Sequence, residues 1–283
     1  VREWMRDHTI PAFDGKKGCV RGLVTRVSGK DELMAIVVTN GHTLPHAPDL
    51  VSRLQEAIPA LRSLYQLESA PRPTHALDGL ARCLWGDKTL EDSLLGLRFD
   101  LAPQAFFQVN RTQAERLYEQ ALSAAALTGR ETVLDAYCGA GTISLCMARQ
   151  AGKVIGVEIV EEAVTAAKEN AEANGLTNCS FLAGDVLKVI DEIEEKPDFI
   201  VLDPPREGIH PKALPKIVDL YRCEKMLYIS CKPTSLARDL VEFAKYGYRV
   251  EKVCCVDMFP GTVHCETVVL LSKGEVDSKK IRV

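Results

Sequence analysis

From Asn110 to Gly247 the chain alternates short apolar runs with amphipathic stretches. In order they are "TVLDAYCG", "GTISLCMARQ", "KVIGVEI", "EEAVTAAKENAEANG", "CSFLAGD", "PDFIVLDPP", "HPKALPKIVDL", "KMLYISC" and "PTSLARDLVEFAKYG". Nothing else in the sequence constrains the fold as strongly. Strands separated by helices cannot pair through tight hairpins, so they must lie parallel, with the helices covering both faces of the sheet. "NRTQAERLYEQALSAAAL" precedes the first of these strands as a helix, with Asn110 available as its N-cap. After Gly247, "YRVEKVCCVDMFP" and "CETVVLLS" follow with no helix between them and predict an antiparallel pair on the sheet edge.

The first hundred residues lack this alternation. "RGLVTRVS" and "LMAIVVTN" flank a Gly-Lys-Asp turn and read as a hairpin, "HAPDLVSRLQEAI" as a helix, and "LRSLYQLES", "ARCLWGD" and "LEDSLLGLRFDL" as further short strands. The expected organisation is a small α+β domain over residues 1–100 with a partly exposed sheet, its expected job substrate docking. A doubly wound α/β domain, with an antiparallel C-terminal edge, follows over 101–283. The closing "KGEVDSKKIRV" is polar and expected to fray.

Composition narrows the classes. A hydrophobic content of 46% suffices to bury a core, and no apolar run reaches the roughly 20 residues of a membrane span. The ten cysteines include no CxxC pair, and the adjacent Cys254 and Cys255 lack metal-ligand spacing, which fits a reducing, cytoplasmic setting. A net charge of −4 argues against a generic nucleic-acid coat but leaves room for a local basic groove. The sequence opens on Val1 rather than methionine and is read as a piece of a longer protein.

"LDAYCGAGTISL" is a strand, a glycine turn and a helix start. Gly139 and Gly141 let the backbone approach a ligand, and the helix start offers free N–H groups. Glu158, ending the next strand, can take both ribose hydroxyls of an adenosine ligand, and Asp185 stands after the third strand, near the adenine. Ser144 replaces the third glycine of the dinucleotide fingerprint, which disfavours a pyrophosphate. Asp135 could meet an ammonium group or serve the turn itself. An adenosine ligand with an amino-acid tail fits best, and S-adenosylmethionine is the expected cofactor. In "VLDPPREG" two prolines fix an extended exit after Asp203. That segment resembles the substrate-facing loop of many nucleic-acid methyltransferases, and can also be a rigid strand exit without chemistry. Arg206 could hold a phosphate, a base edge or a surface ion pair. Cys231 falls in the last strand-to-helix turn, so it shares the crevice at the strand ends with Gly139, Glu158, Asp185 and Asp203. Its position before a helix biases the thiol toward thiolate, which favours a reactive over a packed cysteine.

"FFQVN", "LDAYCGAGTISL", "LDPPREG", "YISCKPTSLARDL" and "HCETVVLLS", in this order, resemble the RNA (uracil-5-)-methyltransferase family, which makes 5-methyluridine in transfer and ribosomal RNA. The resemblance covers the catalytic half closely and the first hundred residues loosely. It implies a class I S-adenosylmethionine-dependent methyltransferase fold, with cofactor contacts at Gln108, Tyr137, Glu158 and Asp203. It further implies Cys231 as nucleophile and Glu266 as general base, with RNA as partner and ribosomal RNA expected ahead of transfer RNA. The family's N-terminal TRAM barrel is expected to lie ahead of this stretch, and no four-cysteine iron–sulfur cluster is expected within it, since Cys19 and Cys83 do not match cluster spacing. No obligate protein partner is evident. Two other readings stay open: an amino-group methyltransferase using the Asp-Pro-Pro loop with a structural Cys231, and a non-catalytic RNA-binding module.

Overall fold

The structure, a computed structural model, describes residues 1–274; most of the closing polar segment lies outside them. Two compact units emerge, one formed by 1–93 with 98–105, the other by 94–97 with the chain from Phe106 onward.

The first unit holds α1 (Arg2–Asp7), β1 (Val20–Val27), β2 (Leu33–Thr39), α2 (Ala47–Ala57), β3 (Leu61–Ser69) and β4 (Gly79–Gly86). Its four strands lie in sequence order. β1–β2 is the expected hairpin. The expectation of no helix–strand alternation here needs correcting, because α2 carries the chain across to lay β3 parallel to β2. β2 and β3 are consequently the buried centre: Ala35, Val37 and Leu64 pack with Trp4, Leu50 and Leu54 on one face, and Met34, Ile36 and Leu67 pack on the other. A hairpin follows, β5 (Leu90–Leu94) and β6 (Leu97–Leu101). Its two-residue turn, Leu95 at φ 51° and Gly96 at φ 76°, has the positive dihedrals of a primed turn.

The second unit continues with α3 (Arg111–Ala125), β7 (Thr132–Asp135), α4 (Thr142–Ala148), β8 (Lys153–Glu158), α5 (Glu161–Ala173) and β9 (Cys179–Ala183). Then come α6 (Val186–Val189), β10 (Phe199–Leu202), α7 (Ala213–Tyr221), β11 (Lys225–Ser230), α8 (Pro233–Lys245), β12 (Tyr248–Val256) and β13 (Glu266–Lys273). Asn110 caps α3 as expected, its side chain accepting from the Gln113 N–H at 3.3 Å. The strand order is β12-β13-β11-β10-β7-β8-β9. β7 to β11 are parallel, and β13 pairs antiparallel with both β11 and β12. β12 therefore runs with the parallel set, and β13 alone is reversed.

This topology positions the site in two ways. Strand order changes direction between β7 and β10, which opens a crevice beyond their carboxyl ends. Reversing β13 brings its first residue, Glu266, to that same edge. The core below is aliphatic and fully enclosed, with Leu134, Ile155, Ile200, Leu202, Met226 and Val269 from adjacent strands in one cluster.

Candidate active site

The glycine turn after β7 is held by a closed set of hydrogen bonds. Asp135, wholly buried, accepts from the Ser144 hydroxyl at 2.5 Å and from the Tyr137 N–H at 3.3 Å. The serine in the third fingerprint position thus ties the helix start back to the strand end. Of the two roles open to Asp135, the turn itself engages both its oxygens. Burial raises its pKa to about 6, against the lowering effect of those bonds. Glu158 accepts from Gly139 N–H at 3.1 Å and from Val160 N–H at 2.9 Å, so its carboxylate is fixed at the rim of the turn. Asp185 caps α6 through Leu187 N–H at 2.9 Å. Tyr137 is half-buried against the core, and its hydroxyl is pushed to about 12 by burial and then by Asp185 and Asp239.

The two glycines differ. Gly139, at φ 52°, has no atom within 4 Å of where a Cβ would stand, so open space lies over the turn. Gly141, at φ 86°, would set a Cβ 2.8 Å from Leu145 and 3.1 Å from Ala167. Gly141 is thus required by helix packing as well, while at Gly139 the missing Cβ leaves an open cradle. Gln108 lies half-buried in the segment before α3, and its amide makes no hydrogen bond among the described residues.

Past β10 and β11 the side chains behave differently. In the β11–β13 ladder Ser230 pairs with Thr267, so the next step of that register sets Cys231 opposite Glu266. Glu266 is buried at 7% exposure, and neither it nor Asp203 makes a side-chain hydrogen bond among the described residues. Burial raises the Glu266 pKa, opposed by Arg206. Asp203 is raised well above the usual carboxylate range by burial, then by the charges of Glu266 and Asp135. Burial also pushes the Cys231 thiol up, helped by Glu266 and Asp203 and opposed by Arg206. This overturns the expected bias of Cys231 toward thiolate. Partial enclosure and two neighbouring acids outweigh the start of α8, and Arg206 is the cation that works against them.

Three contributors escaped the sequence reading, and a fourth, Ser144, was read there only as a missing glycine. Tyr118 of α3 is buried, its hydroxyl raised well above the ordinary range by burial and by Asp203 first among its neighbours. Ser144 has been described. His264 receives Arg206 Nη2 on Nδ1 at 3.3 Å; a guanidinium can only donate, so Nδ1 is the acceptor in this contact. Asp239 is buried on α8 beside the Arg206 turn. A signal for it existed, since Ser235, Leu236, Asp239 and Phe243 recur at helical spacing on the buried face. Among the described residues no group of three or more His, Cys, Asp or Glu could hold a metal ion, and no helix is long and apolar enough to cross a membrane.

S-adenosylmethionine fits these residues. The open cradle over Gly139 admits a ligand, Glu158 stands at its rim with lone pairs to spare, and Asp135 and Asp203 repel each other in a way that a cationic ligand would relieve. Sheet order, the reversed β13 and the glycine turn after the first parallel strand together define a class I S-adenosylmethionine-dependent methyltransferase fold.

Within that class the chain belongs to the tRNA (Uracil-5-)-methyltransferase family, whose profile matches residues 89–274. An uncharacterized RNA methyltransferase of Halalkalibacterium halodurans is 41% identical over 278 residues, covering 96% of this chain and 60% of the relative. One from Caldanaerobacter subterraneus is 43% identical over 273 residues, covering 95% and 60%. The chain thus spans about 60% of the length of these curated relatives. The crystal structure of Pyrococcus abyssi tRNA (uracil-54, C5)-methyltransferase with S-adenosyl-L-homocysteine superposes with a TM-score of 0.78 at 25% identity, covering 95% of this chain and 64% of that one. The tRNA m1G37 methyltransferase of M. jannaschii, at TM-score 0.58 and 13% identity over 89% of this chain and 75% of its own, shares the fold.

Proposed function

We propose that this chain carries the catalytic part of an S-adenosylmethionine-dependent enzyme that methylates C5 of uracil in RNA. The observation that carries the reading is the β11–β13 register, whose last pair, Ser230 with Thr267, is followed by a thiol on one strand and preceded by a buried, unbonded carboxylate on the other. In this reading Gly139, Glu158, Asp185, Tyr137 and Gln108 hold the cofactor, and Asp203 faces the reacting centre. When bound, S-adenosylmethionine supplies an electrophilic methyl group.

The chain's own residues do the rest. C5 of uracil is a poor nucleophile, so the Cys231 thiolate adds to C6, forming an S–C6 bond and placing the released electron pair in an enolate that extends to C5. Once C5 carries the methyl group, its proton must leave. Glu266 accepts that proton, the C5–C6 double bond re-forms, and the S–C6 pair returns to sulfur. Burial without a hydrogen-bond partner raises the basicity of Glu266 and suits it to this step. Arg206, turned to His264, meets a phosphate or base edge of the RNA, and the first unit docks more of the same strand.

The test is mass spectrometry of the full chain incubated with S-adenosylmethionine and 5-fluorouridine-substituted transfer or ribosomal RNA. Fluorine at C5 cannot leave as a cation, so the expected product is a protein–RNA adduct mapping to Cys231. Turnover retained by Cys231→Ala would overturn the reading in favour of an amino-group methyltransferase. Running both RNAs decides which class is the substrate.

A further inference from the structure

The segment after Asp203 makes a tight turn in which Gly208 N–H bonds the Pro205 carbonyl at 2.8 Å, leaving Arg206 at its tip. Helix α8 holds this turn at three points, and β11 braces one of them. The Ser235 hydroxyl donates to the Arg206 carbonyl at 2.8 Å, and Arg238 Nη2 donates to the Glu207 carbonyl at 2.5 Å. Asp239 Oδ2 accepts from Ile209 N–H at 2.8 Å and from the Tyr228 hydroxyl of β11 at 2.7 Å. Asp239 Oδ1 is held in turn by Arg238 at 2.8 and 3.0 Å. Asp239 is 3% exposed and Tyr228 is wholly buried, its ring set edge-on to Phe243 of α8 at 6.3 Å. The fit is tight, because a Cβ on Gly208 would stand 2.4 Å from Asp239 Oδ2.

We propose that Asp239 is a positioning residue: by joining α8, β11 and the Pro205–Ile209 turn at one buried carboxylate, it fixes the turn that bears Arg206 relative to the strand-to-helix step that bears Cys231. Cys231 lies between β11 and α8, the same two elements that Asp239 ties together, so the thiol and the Arg206 backbone are referred to one fixed point, from which the guanidinium reaches His264. A buried carboxylate with four donors is costly to leave incomplete and resists movement. The proposal rests on the reading of Cys231 as the reacting thiol, but its test does not use RNA or turnover.

The experiment is the rate of iodoacetamide alkylation of Cys231, followed by mass spectrometry of its peptide from about pH 7 to about pH 12, in the chain and its variants. Removing the cation with Arg206→Gln is expected to move the midpoint upward and slow alkylation below it by about tenfold. Asp239→Ala is expected to reproduce most of that shift. Asp239→Asn keeps one acceptor and should give a partial shift, with Ser235→Ala close to it. Should Asp239→Ala fail to fold, Tyr228→Phe and Ser235→Ala each remove a single bond and carry the same expectation. An unshifted midpoint in these variants, with or without a lowered melting temperature, would mark Asp239 as structural only and overturn the proposal. So would an unshifted Arg206→Gln. Failure of the methyltransferase reading would show instead as a wild-type chain with this alkylation profile and no RNA adduct.

Discussion

The two sides of the crevice are built on opposite principles. Around the glycine turn the polar groups satisfy one another: Asp135 with Ser144 and the Tyr137 backbone, Glu158 with two backbone N–H groups, Asp185 with its own helix. Past β10 and β11, Asp203 and Glu266 make no side-chain hydrogen bond among the described residues, Cys231 feels both acids, and the pKa values of all three are raised, chiefly by burial. A surface that must receive a ligand in one pose gains from groups already fixed. A surface that must add and remove protons gains from groups whose charged forms are poorly solvated, because these are the better bases and nucleophiles once ionised.

Substitution of Cys231 should break the reactive side most severely. Cys231→Ala is expected to lower turnover by at least about a thousandfold and to abolish the 5-fluorouridine adduct, while equilibrium dialysis finds cofactor affinity retained. Glu266→Gln should lower turnover by about a hundredfold or more. It differs in kind, since the thioether to the RNA forms and does not resolve, and denaturing gels should show an adduct with ordinary uridine RNA. Both residues act deprotonated and both are raised, so the rate is expected to climb with pH into the alkaline region, above the ordinary thiol range. A profile already flat near neutrality would remove the contrast between the two sides.

The cofactor side is tested through stability. The folded-state pKa of Asp135 is raised to about 6, whereas the unfolded chain releases that proton near about 4. Its contribution is full below the unfolded value and is lost as pH rises through the folded one, an effect on the order of 3 kcal/mol. Urea titrations should show this fall in the wild type and a flatter profile in Asp135→Asn. The two glycines give the smallest and sharpest contrast. Gly141→Ala meets Leu145 and Ala167 and is expected to cost about 2–3 kcal/mol. Gly139→Ala enters open space and should cost only about 1 kcal/mol of backbone strain, yet weaken S-adenosylmethionine binding, measured by calorimetry.

Much of the molecule was legible beforehand because its determinants are local. Periodicity alone separated the α/β half from the rest, and each strand ended near where the next polar residue stood, which put Glu158, Asp203 and Cys231 at carboxyl ends. The crossover through α2 was missed, because one helix between two strands gives no repeating pattern to read. The two glycines looked alike in sequence, since the demand for a missing Cβ comes at Gly139 from space and at Gly141 from a neighbouring helix.

By itself, then, the sequence determined which segments are strands and helices, that the sheet is doubly wound, and which reactive residue types fall at its edge. Those features follow from periods of two and 3.6 residues and from turn chemistry, all set within a few neighbours along the chain. Only the tertiary structure decided that β13 runs backwards and so brings Glu266 opposite Cys231, that the Cys231 thiol is raised rather than lowered, and that Asp239 ties α8 to the Arg206 turn. Each depends on charges and hydrogen-bonding groups far apart in sequence meeting in a place shielded from water, and neither burial nor field strength is a property of a local pattern.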